Sequence, residues 1–260
     1  MSEHKTRLLI KAPLQRVWDI WVDVVKRYCP NDIDVIFSSE LYGEIYANHL
    51  GIKHQMVDLE RKKYPISGTL SRNETNKYWN MITDAAKPYF MKRIVIMGPE
   101  STGKSTLVKN LSKHYNCKLV EEYGRTYTNI TTTKGLTLQD FENISVGHKK
   151  EVDEIIDKLV IVDTEAITTK IFGELYLGKC ESSIIDDIIK NQKYDLYFLM
   201  NVDVPWVDDG TRDFPHLREW HLNRLKVELE CNGIDYVLID GNYEERLKKA
   251  ICEIDKLINV

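Results

Sequence analysis

Eight consecutive residues, Gly98–Ser105 (GPESTGKS), match the pattern G-x-x-x-x-G-K-[ST] of a phosphate-binding loop. The two glycines let the backbone wrap a polyphosphate so that successive N–H groups point inward, and the following helix adds a partial positive charge. Lys104 supplies a charge to the β- and γ-phosphates, and the Ser105 hydroxyl can ligate Mg²⁺. We therefore predict binding of a nucleoside triphosphate with Mg²⁺. The residues expected to contact the nucleotide are Gly98, Glu100, Ser101, Thr102, Gly103, Lys104, Ser105 and Thr106.

Two carboxylates follow other apolar runs of the sequence. Asp163 ends the run Leu159–Val162, the position at which a carboxylate holds Mg²⁺ directly or through water. Glu122 and Arg125 follow Lys118–Val120, at the edge where open α/β sheets bind ligands. A carboxylate there could accept the proton of an attacking hydroxyl, and the arginine could orient it or bind substrate. Locally, an ordinary strand-end aspartate and a surface ion pair remain as alternatives.

The segment 205–220 is polar and aromatic and contains two prolines, which predicts a loop or a lid. Its charged residues include Asp208, Asp209, Arg212 and Arg218. An arginine that closes over the γ-phosphate would stabilise charge during transfer. A solvated charged loop is the alternative interpretation.

Three classes of nucleotide-dependent protein compete at this point. A GTPase needs an N-K-x-D base-reading motif, and the nearest tract, residues 191–195 (NQKYD), has the wrong spacing. A mechanical ATPase usually belongs to a larger assembly module. A small-molecule kinase fits a short core with a lid. The charged residues Glu122, Asp163 and Arg212 also favour that class.

Short apolar runs alternate with helical patterns through the second part of the chain, which predicts a parallel sheet flanked by helices. The predicted strands are Ile94–Met97, Lys118–Val120, Leu159–Asp163, Tyr194–Asn201 and Tyr236–Ile239. A loop is predicted over 129–137 and a helix over 138–158.

The first part of the chain has a similar alternating pattern. Helices are predicted over 13–28, 42–51 and 77–82, strands over 34–40 and 54–59, and a connector over 87–92. Strand–helix–strand order indicates a parallel α/β unit. The predicted fold is therefore a P-loop kinase-like α/β domain over 93–260, preceded by a second α/β segment over 1–92.

Composition excludes several other classes. The 260 residues carry a formal net charge of −4, which gives no electrostatic argument for nucleic-acid binding. The five cysteines include no C-x-x-C pair, so neither a zinc site nor a disulfide framework is expected. The sequence contains no apolar run of roughly 18 residues and no secretory signal at its start. We expect a cytoplasmic protein without a membrane or nucleic-acid partner.

Five motifs occur in an order that resembles the ribosylnicotinamide kinase domain of the NadR-like family of bifunctional enzymes. They are RIVIMGPESTGKSTL, EEYGRTY, IVDTE, PWVDDGTRDF and GNYEERLKKAI, within roughly 93–255. The resemblance implies ATP-dependent phosphorylation of the 5′-hydroxyl of nicotinamide riboside to nicotinamide mononucleotide. It implies catalytic roles for Lys104, Glu122, Asp163 and the lid cation Arg212. It also implies a riboside pocket that involves Glu122, Arg125, Tyr127, Trp206 and Asp209.

Residues 34–79 resemble the second half of the NMN adenylyltransferase domain of the same family, and residues 66–72 match its I-S-x-x-x-x-R signature. The resemblance implies that Ser67 and Arg72 derive from a site for ATP phosphates. The family also requires H-x-G-H, and none of the seven histidines has that spacing. The resemblance therefore implies a partial Rossmann-like nucleotidyltransferase segment over 1–92 whose adenylyltransferase activity is expected to be lost, with Ser67 and Arg72 as a vestigial site. Three interpretations of the segment remain open: a docking remnant, a half-site that an oligomer or another polypeptide completes, and the result of a truncated reading frame.

Two further hypotheses remain open from the sequence. In one, the chemistry is the same and the acceptor is another nucleoside. In the other, the chain is a catalytically inactive module that senses ATP or NAD. His148, alone on a predicted helix, is expected to be structural.

Overall fold

The computed structural model describes residues 14–29, 32–131, 135–207 and 214–258, with the backbone alone for 14–16 and 128–131. The chain divides into two compact units, residues 1–68 and 69–260. These units do not coincide with the predicted boundary after residue 92, because residues 69–92 belong to the larger compact unit. The assignment of residues 1–92 to one nucleotidyltransferase-like segment stays a prediction.

The smaller unit contains a helix–strand–helix–strand arrangement. Its elements are α1 (Leu14–Tyr28), β1 (Val35–Ser38), α2 (Tyr42–Leu50) and β2 (Lys53–Met56). β1 and β2 pair in parallel, with Val35 opposite Lys53 and Ser38 opposite Met56. The predicted strand–helix–strand order is therefore confirmed.

Aromatic packing joins the two helices of the smaller unit. The Trp18 ring stacks against Tyr46 and His49, with ring centroids 5.8 and 6.0 Å away. The Tyr46 hydroxyl donates a hydrogen bond of 3.0 Å to the Trp21 carbonyl. Trp18 of the apolar stripe thus packs against α2, whereas Trp21 and Tyr28 of the same stripe are exposed.

The larger unit contains the remaining ten α-helices and five strands of the described residues, together with two 3-10 helices, Trp79–Met81 and Pro215–Leu217. Its first helices are short: α3 (Gly68–Asn73, which begins at the boundary between the units), α4 (Thr75–Tyr78) and α5 (Lys87–Phe90). Its other helices are α6 (Lys104–Tyr115), α7 (Tyr123–Thr131), α8 (Leu138–Glu154), α9 (Ala166–Leu177), α10 (Ser183–Asn191), α11 (Arg218–Cys231) and α12 (Tyr243–Ile258). Its strands are β3 (Lys92–Met97), β4 (Lys118–Val120), β5 (Leu159–Asp163), β6 (Leu196–Met200) and β7 (Val237–Ile239).

The five strands form one parallel sheet in the order β4-β5-β3-β6-β7. β3, which leads into the phosphate-binding loop, lies at the centre of the sheet. Because all strands run in the same direction, their carboxyl ends meet at one edge. The segments that follow β3, β4 and β5 are therefore brought together there, as open α/β sheets require for ligand binding.

Each face of this sheet carries its own hydrophobic core. On one face, apolar residues of α8, α9, α10 and α11 pack against the sheet. On the other face, Leu107, Val108 and Leu111 of α6 pack together with Ala250 and Ile254 of α12. The three-layer arrangement confirms the predicted α/β class with helices on both sides of a parallel sheet.

Several local predictions differ from the structure. The predicted helix 77–82 is an α-helix over Thr75–Tyr78 followed by a 3-10 helix over Trp79–Met81, and the predicted helix 138–158 ends at Glu154. α7 continues to Thr131, into the predicted loop 129–137, and residues 132–134 lie outside the described residues. The predicted connector 87–92 contains the helical turn α5 and the first residue of β3. α11 begins at Arg218, inside the predicted loop 205–220, since a 3-10 helix (Pro215–Leu217) leads directly into it.

Among the residues that the structure describes, none of the helices combines the length and the apolar character needed to cross a bilayer.

Candidate active site

The phosphate-binding loop joins β3 to α6 at the carboxyl edge of the sheet. Gly98 and Gly103 have φ values of 148° and 85°, a region that side chains rarely adopt, so both positions require glycine. Thr102 is buried, and its hydroxyl donates to the Pro99 carbonyl at 2.8 Å. Lys104 is also buried, and its Nζ donates to the same carbonyl at 2.9 Å. Burial lowers the pKa of Lys104, whereas the charges of Glu122 and Asp163 act in the opposite direction.

Asp163 lies at the end of β5 beside the loop. Its Oδ2 accepts a hydrogen bond of 2.7 Å from the Ser105 hydroxyl. Its Oδ1 is buried and has no hydrogen-bond partner among the described residues. Burial raises the pKa of Asp163 to about 6, with the charge of Glu122 acting in the same direction. A hydroxyl oxygen and a carboxylate oxygen without a partner are suitable ligands for a hard cation such as Mg²⁺.

The backbone after Asp163 is held in a strained conformation. Thr164 has a φ of 68°, which is uncommon for a β-branched residue. Its N–H donates to the Ile96 carbonyl at 2.9 Å, and its carbonyl lies 3.1 Å from Nε2 of buried His148. The buried Glu165 carboxylate accepts from the N–H of Ile167 at 2.7 Å and so caps α9. These contacts fix the junction that carries Asp163, and the structural role expected of His148 stays a prediction.

Glu122 and Arg125 follow β4, as predicted, and are joined to each other. Nε of Arg125 donates a hydrogen bond of 2.7 Å to Oε2 of Glu122. About half of the Arg125 side chain is exposed, whereas the Glu122 side chain is mostly buried. The pair therefore has one end in the protein and one end in solvent.

A cavity of about 320 Å³ extends from the phosphate-binding loop to the Glu122–Arg125 pair. Its walls include Lys104, Glu122 and Arg125, together with Glu100 and Ser101 of the loop. An aromatic and apolar part of the wall comes from Tyr123, Leu136, Phe141, Ile144, Phe172 and Tyr176. A polar part comes from His148, Thr164, Thr168 and Thr169. The cavity thus adjoins both the phosphate-binding loop and the Glu122–Arg125 pair.

Sequence reasoning missed most of this wall. Phe172 and Tyr176 are four residues apart on α9, so they share one face of that helix, and this spacing was the available signal. Phe141 and Ile144 lie on α8, and only the packing of α8 against α9 brings the two helices to the same cavity. Nothing local in the sequence indicates that contact.

Two predicted substrate residues lie elsewhere among the described residues. The Tyr127 hydroxyl donates to Asp140 at 2.8 Å and accepts from Asn143 at 3.1 Å, and Tyr127 is not part of the described cavity wall. Trp206 is not part of that wall either, and the Arg218 guanidinium lies 5.8 Å from its ring centroid. The predicted residues Asp209 and Arg212 lie outside the described residues.

Glu100 and Ser101 of the phosphate-binding loop form hydrogen bonds with residues on both sides of the segment 208–213. The Ser101 hydroxyl accepts from the Val207 N–H at 2.7 Å and donates to the Val207 carbonyl at 3.2 Å. The Phe214 N–H donates to Glu100 at 3.3 Å. Arg218 donates to the Ser101 carbonyl at 3.2 Å. Thr106, also predicted to contact nucleotide, is exposed in the first turn of α6.

Ser67 and Arg72, the predicted vestigial pair, fall on either side of the boundary between the compact units. Ser67 belongs to the smaller unit, and Arg72 lies in α3. Their role stays a prediction.

The central strand, the glycine-bearing loop, the buried lysine and the Ser105–Asp163 pair together define a P-loop fold of the nucleoside-triphosphate-binding class. Residues 93–246 match the family model described as an AAA domain, and the chain belongs to that family. This match covers the five-stranded sheet and the first residues of α12.

The chain is similar in sequence to two NadR proteins. It is 32% identical over 253 residues to the trifunctional NAD biosynthesis/regulator protein NadR of Escherichia coli, and 31% identical over 253 residues to that of Salmonella typhimurium. Each alignment covers 92% of this chain and 61% of the relative, so the chain spans less than two thirds of either relative.

A crystal structure of NadR protein in complex with NR has the same fold. It superposes with a TM-score of 0.70 at 22% identity and covers 96% of this chain and 76% of the other.

Proposed function

We propose that this chain transfers the γ-phosphoryl group of ATP to the 5′-hydroxyl of nicotinamide riboside and forms nicotinamide mononucleotide. One observation carries the proposal: a single cavity joins Lys104 of the phosphate-binding loop to the Glu122–Arg125 pair and to an aromatic wall. Similarity to NAD biosynthesis proteins, and to a structure that contains NR, supports the riboside as the acceptor.

In this proposal Ser105 and Asp163 would hold Mg²⁺. The residues fit the ion because Oδ1 of Asp163 is buried without a partner among the described residues, while Oδ2 is already joined to Ser105. When bound, Mg²⁺ neutralises charge on the β- and γ-phosphate oxygens.

Lys104 binds the donor. Its ammonium group now donates to a backbone carbonyl of its own loop, at Pro99, and a phosphate oxygen would be a stronger acceptor for the same donor. Since Lys104 is buried, its charge acts in a region of low dielectric, where its attraction to phosphate is stronger than in water.

Glu122 acts on the acceptor. Its carboxylate orients the 5′-hydroxyl and accepts its proton as the oxygen bonds to the γ-phosphorus and the bond from that phosphorus to the ADP oxygen breaks. The Arg125 hydrogen bond holds Glu122 in one position. The proton then passes to solvent.

The remaining cavity wall suits a flat, polar base attached to a sugar. Phe141, Phe172 and Tyr176 offer ring faces and edges for contact with a base. The hydroxyls of Thr168 and Thr169 already donate to Glu165, so their oxygens can accept further hydrogen bonds. This mixture of aromatic wall and few polar groups is typical of small-molecule sites.

The test is phosphoryl transfer from [γ-³²P]ATP in the presence of MgCl₂, with nicotinamide riboside, adenosine, uridine and thymidine as alternative acceptors. We expect labelled nicotinamide mononucleotide, identified by mass spectrometry, and at least tenfold lower rates with the other nucleosides. Lys104→Ala should abolish transfer, whereas Lys109→Ala, an exposed lysine of the same helix, should not.

Faster transfer to another nucleoside would replace the substrate in this proposal. A folded protein that binds ATP and transfers phosphate to none of the acceptors would favour the inactive sensor instead. The same samples, given nicotinamide mononucleotide and ATP, should form no NAD, since the 260 residues contain no H-x-G-H.

A further inference from the structure

An arginine of α12 is buried behind the phosphate-binding loop. Arg246 is only 1% exposed and is one of the largest fully buried side chains of the described residues. Its guanidinium donates to the carbonyl of Thr102 at 2.5 Å, of Gly241 at 2.7 Å and of Asn201 at 3.2 Å. It also pairs with the Asp203 carboxylate. All three nitrogens of the group are therefore engaged.

These acceptors come from three separate segments of the chain. Thr102 belongs to the phosphate-binding loop, Asn201 and Asp203 follow β6, and Gly241 follows β7. Asp203 in addition accepts a hydrogen bond of 2.6 Å from the Gly241 N–H. A buried charge is costly unless it is paired and fully hydrogen-bonded, and the planar, five-donor guanidinium is the side-chain group that can satisfy all of these acceptors at once.

The first turn of α12 also touches the loop at its next residue. A Cβ atom placed on Gly103 would lie 3.0 Å from Cε1 of Tyr243 and 3.8 Å from Nη1 of Arg246. Thr102 and Gly103 directly precede Lys104. A displacement of this part of the backbone would therefore move both the loop N–H groups and the lysine.

We propose that Arg246 is a positioning residue for the nucleotide half of the site. Its hydrogen bond to Thr102, braced by Asp203, holds the loop in the shape that binds a triphosphate before the nucleotide arrives. The described hydrogen bonds of Arg246 reach neither Glu122 nor the aromatic wall, so the acceptor half should not depend on it.

The experiment compares Arg246→Lys, Asp203→Asn and the control Glu244→Gln. Glu244 lies in the first turn of the same helix, and its exposed side chain pairs with exposed Lys248 at 2.9 Å. Affinity for a fluorescent ATP analogue is measured by titration, the KM for nicotinamide riboside by phosphoryl transfer, and folding by circular dichroism and thermal unfolding.

Arg246→Lys keeps the positive charge but loses the planar guanidinium group with its several donors. We expect ATP affinity to fall about tenfold, which corresponds to the free energy of one hydrogen bond to a charged group. We expect a smaller loss, about threefold, for Asp203→Asn, since the amide oxygen can still accept. The KM for the riboside should stay within about twofold in both variants, and Glu244→Gln should match the unmodified protein in both measurements.

Unchanged ATP affinity in folded Arg246→Lys would overturn the proposal, as would an equal loss for both substrates. If Arg246→Lys does not fold, the same criteria apply to Asp203→Asn: an unchanged ATP affinity, or an equal loss for both substrates, would overturn the proposal. ATP binding is measured directly and does not require phosphoryl transfer. The proposed role of Arg246 and the proposed kinase function can therefore be refuted independently of each other. An unmodified protein that binds ATP but phosphorylates no riboside would refute the proposed function and leave the ATP comparison of the variants valid.

Discussion

The Ser105 hydroxyl donates a hydrogen bond of 2.7 Å to Oδ2 of Asp163, across 58 positions of sequence. This contact joins the first turn of α6 to the end of β5, so the two residues proposed to hold Mg²⁺ are preorganised as a pair. It exists because β5 lies next to β3 in the sheet, with Ile96 in register with Asp163.

Replacement of Asp163 by Asn should therefore reduce the response to Mg²⁺. The amide keeps the shape of the side chain but loses its negative charge, and we expect kcat/KM to fall about 100-fold and the half-saturating Mg²⁺ concentration to rise. The measurement is the initial rate as a function of MgCl₂ concentration. Asp153→Asn, at an exposed aspartate that pairs with Lys149, serves as the control and should leave the Mg²⁺ dependence unchanged. A normal Mg²⁺ dependence in Asp163→Asn would contradict the assigned role.

Glu122→Gln should separate nucleotide binding from transfer. The amide cannot accept the proton of the hydroxyl, so we expect kcat to fall about 100-fold while affinity for the ATP analogue is unchanged. The neighbouring Glu121, whose side chain is 70% exposed, provides the matched control Glu121→Gln. Equal kcat values for the two variants would remove Glu122 from the mechanism.

Gly147→Ala should narrow the acceptor cavity. A Cβ atom at this position would lie 2.4 Å from the ring of Tyr123, so the ring must move, and Tyr123 is part of the cavity wall. We expect the KM for the nucleoside to rise about tenfold with little change in the KM for ATP, since overpacking displaces the ring rather than the loop. Val146→Ala, at the half-exposed neighbour on α8, is the control. If the KM for ATP rises as much as that for the nucleoside, the effect is not confined to the cavity.

Buried His221 should contribute to the pH dependence of the free energy of unfolding. Burial lowers its pKa from 6.5 to about 3, and the charge of Lys104 acts in the same direction. Between these values the unfolded chain binds a proton that the folded chain does not, so His221 makes the folded state less stable as the pH falls below 6.5. The raised pKa of Asp163 acts in the opposite direction, so the slope for the whole protein is a sum.

The comparison that isolates the residue is His221→Phe, which preserves the aromatic contact with Phe172, where the ring centroids are 4.9 Å apart. As the pH falls from 6 to 4, the free energy of unfolding, measured with urea, should decrease less steeply in this variant than in the unmodified protein. We expect the two slopes to differ by up to about 1 kcal/mol per pH unit. Parallel curves for the two proteins would show that His221 does not titrate in this way.

Local patterns were sufficient for the phosphate-binding loop and for the carboxylates at the strand ends. The spacing of Gly98–Ser105 depends only on neighbouring residues, and the apolar run before Asp163 identified both a buried strand and the carboxylate at its end. The Glu122–Arg125 pair was also placed correctly, because both residues lie just after one strand and within one helical turn. Their chemical roles remain proposals that the experiments above address.

The acceptor half could not be derived in this way. Phe141 and Phe172 come from α8 and α9, and their meeting depends on how the two helices pack on the sheet. Tyr127 satisfied the sequence pattern, yet its hydroxyl is bonded to Asp140 and Asn143. A local motif reports which residue types are near each other along the chain, and it does not report which way a helix turns its side chains.

The sequence by itself thus determined the class of fold, the phosphate-binding loop and the carboxylates at the strand ends, because each depends on short-range spacing and on burial of apolar runs. Only the tertiary structure decided the strand order β4-β5-β3-β6-β7, the cavity wall and the position of Arg246 behind Thr102. These features arise from contacts between residues far apart in sequence, such as the 144 positions between Thr102 and Arg246. Contacts of that kind form only when the helices and strands pack together, and no local spacing encodes them.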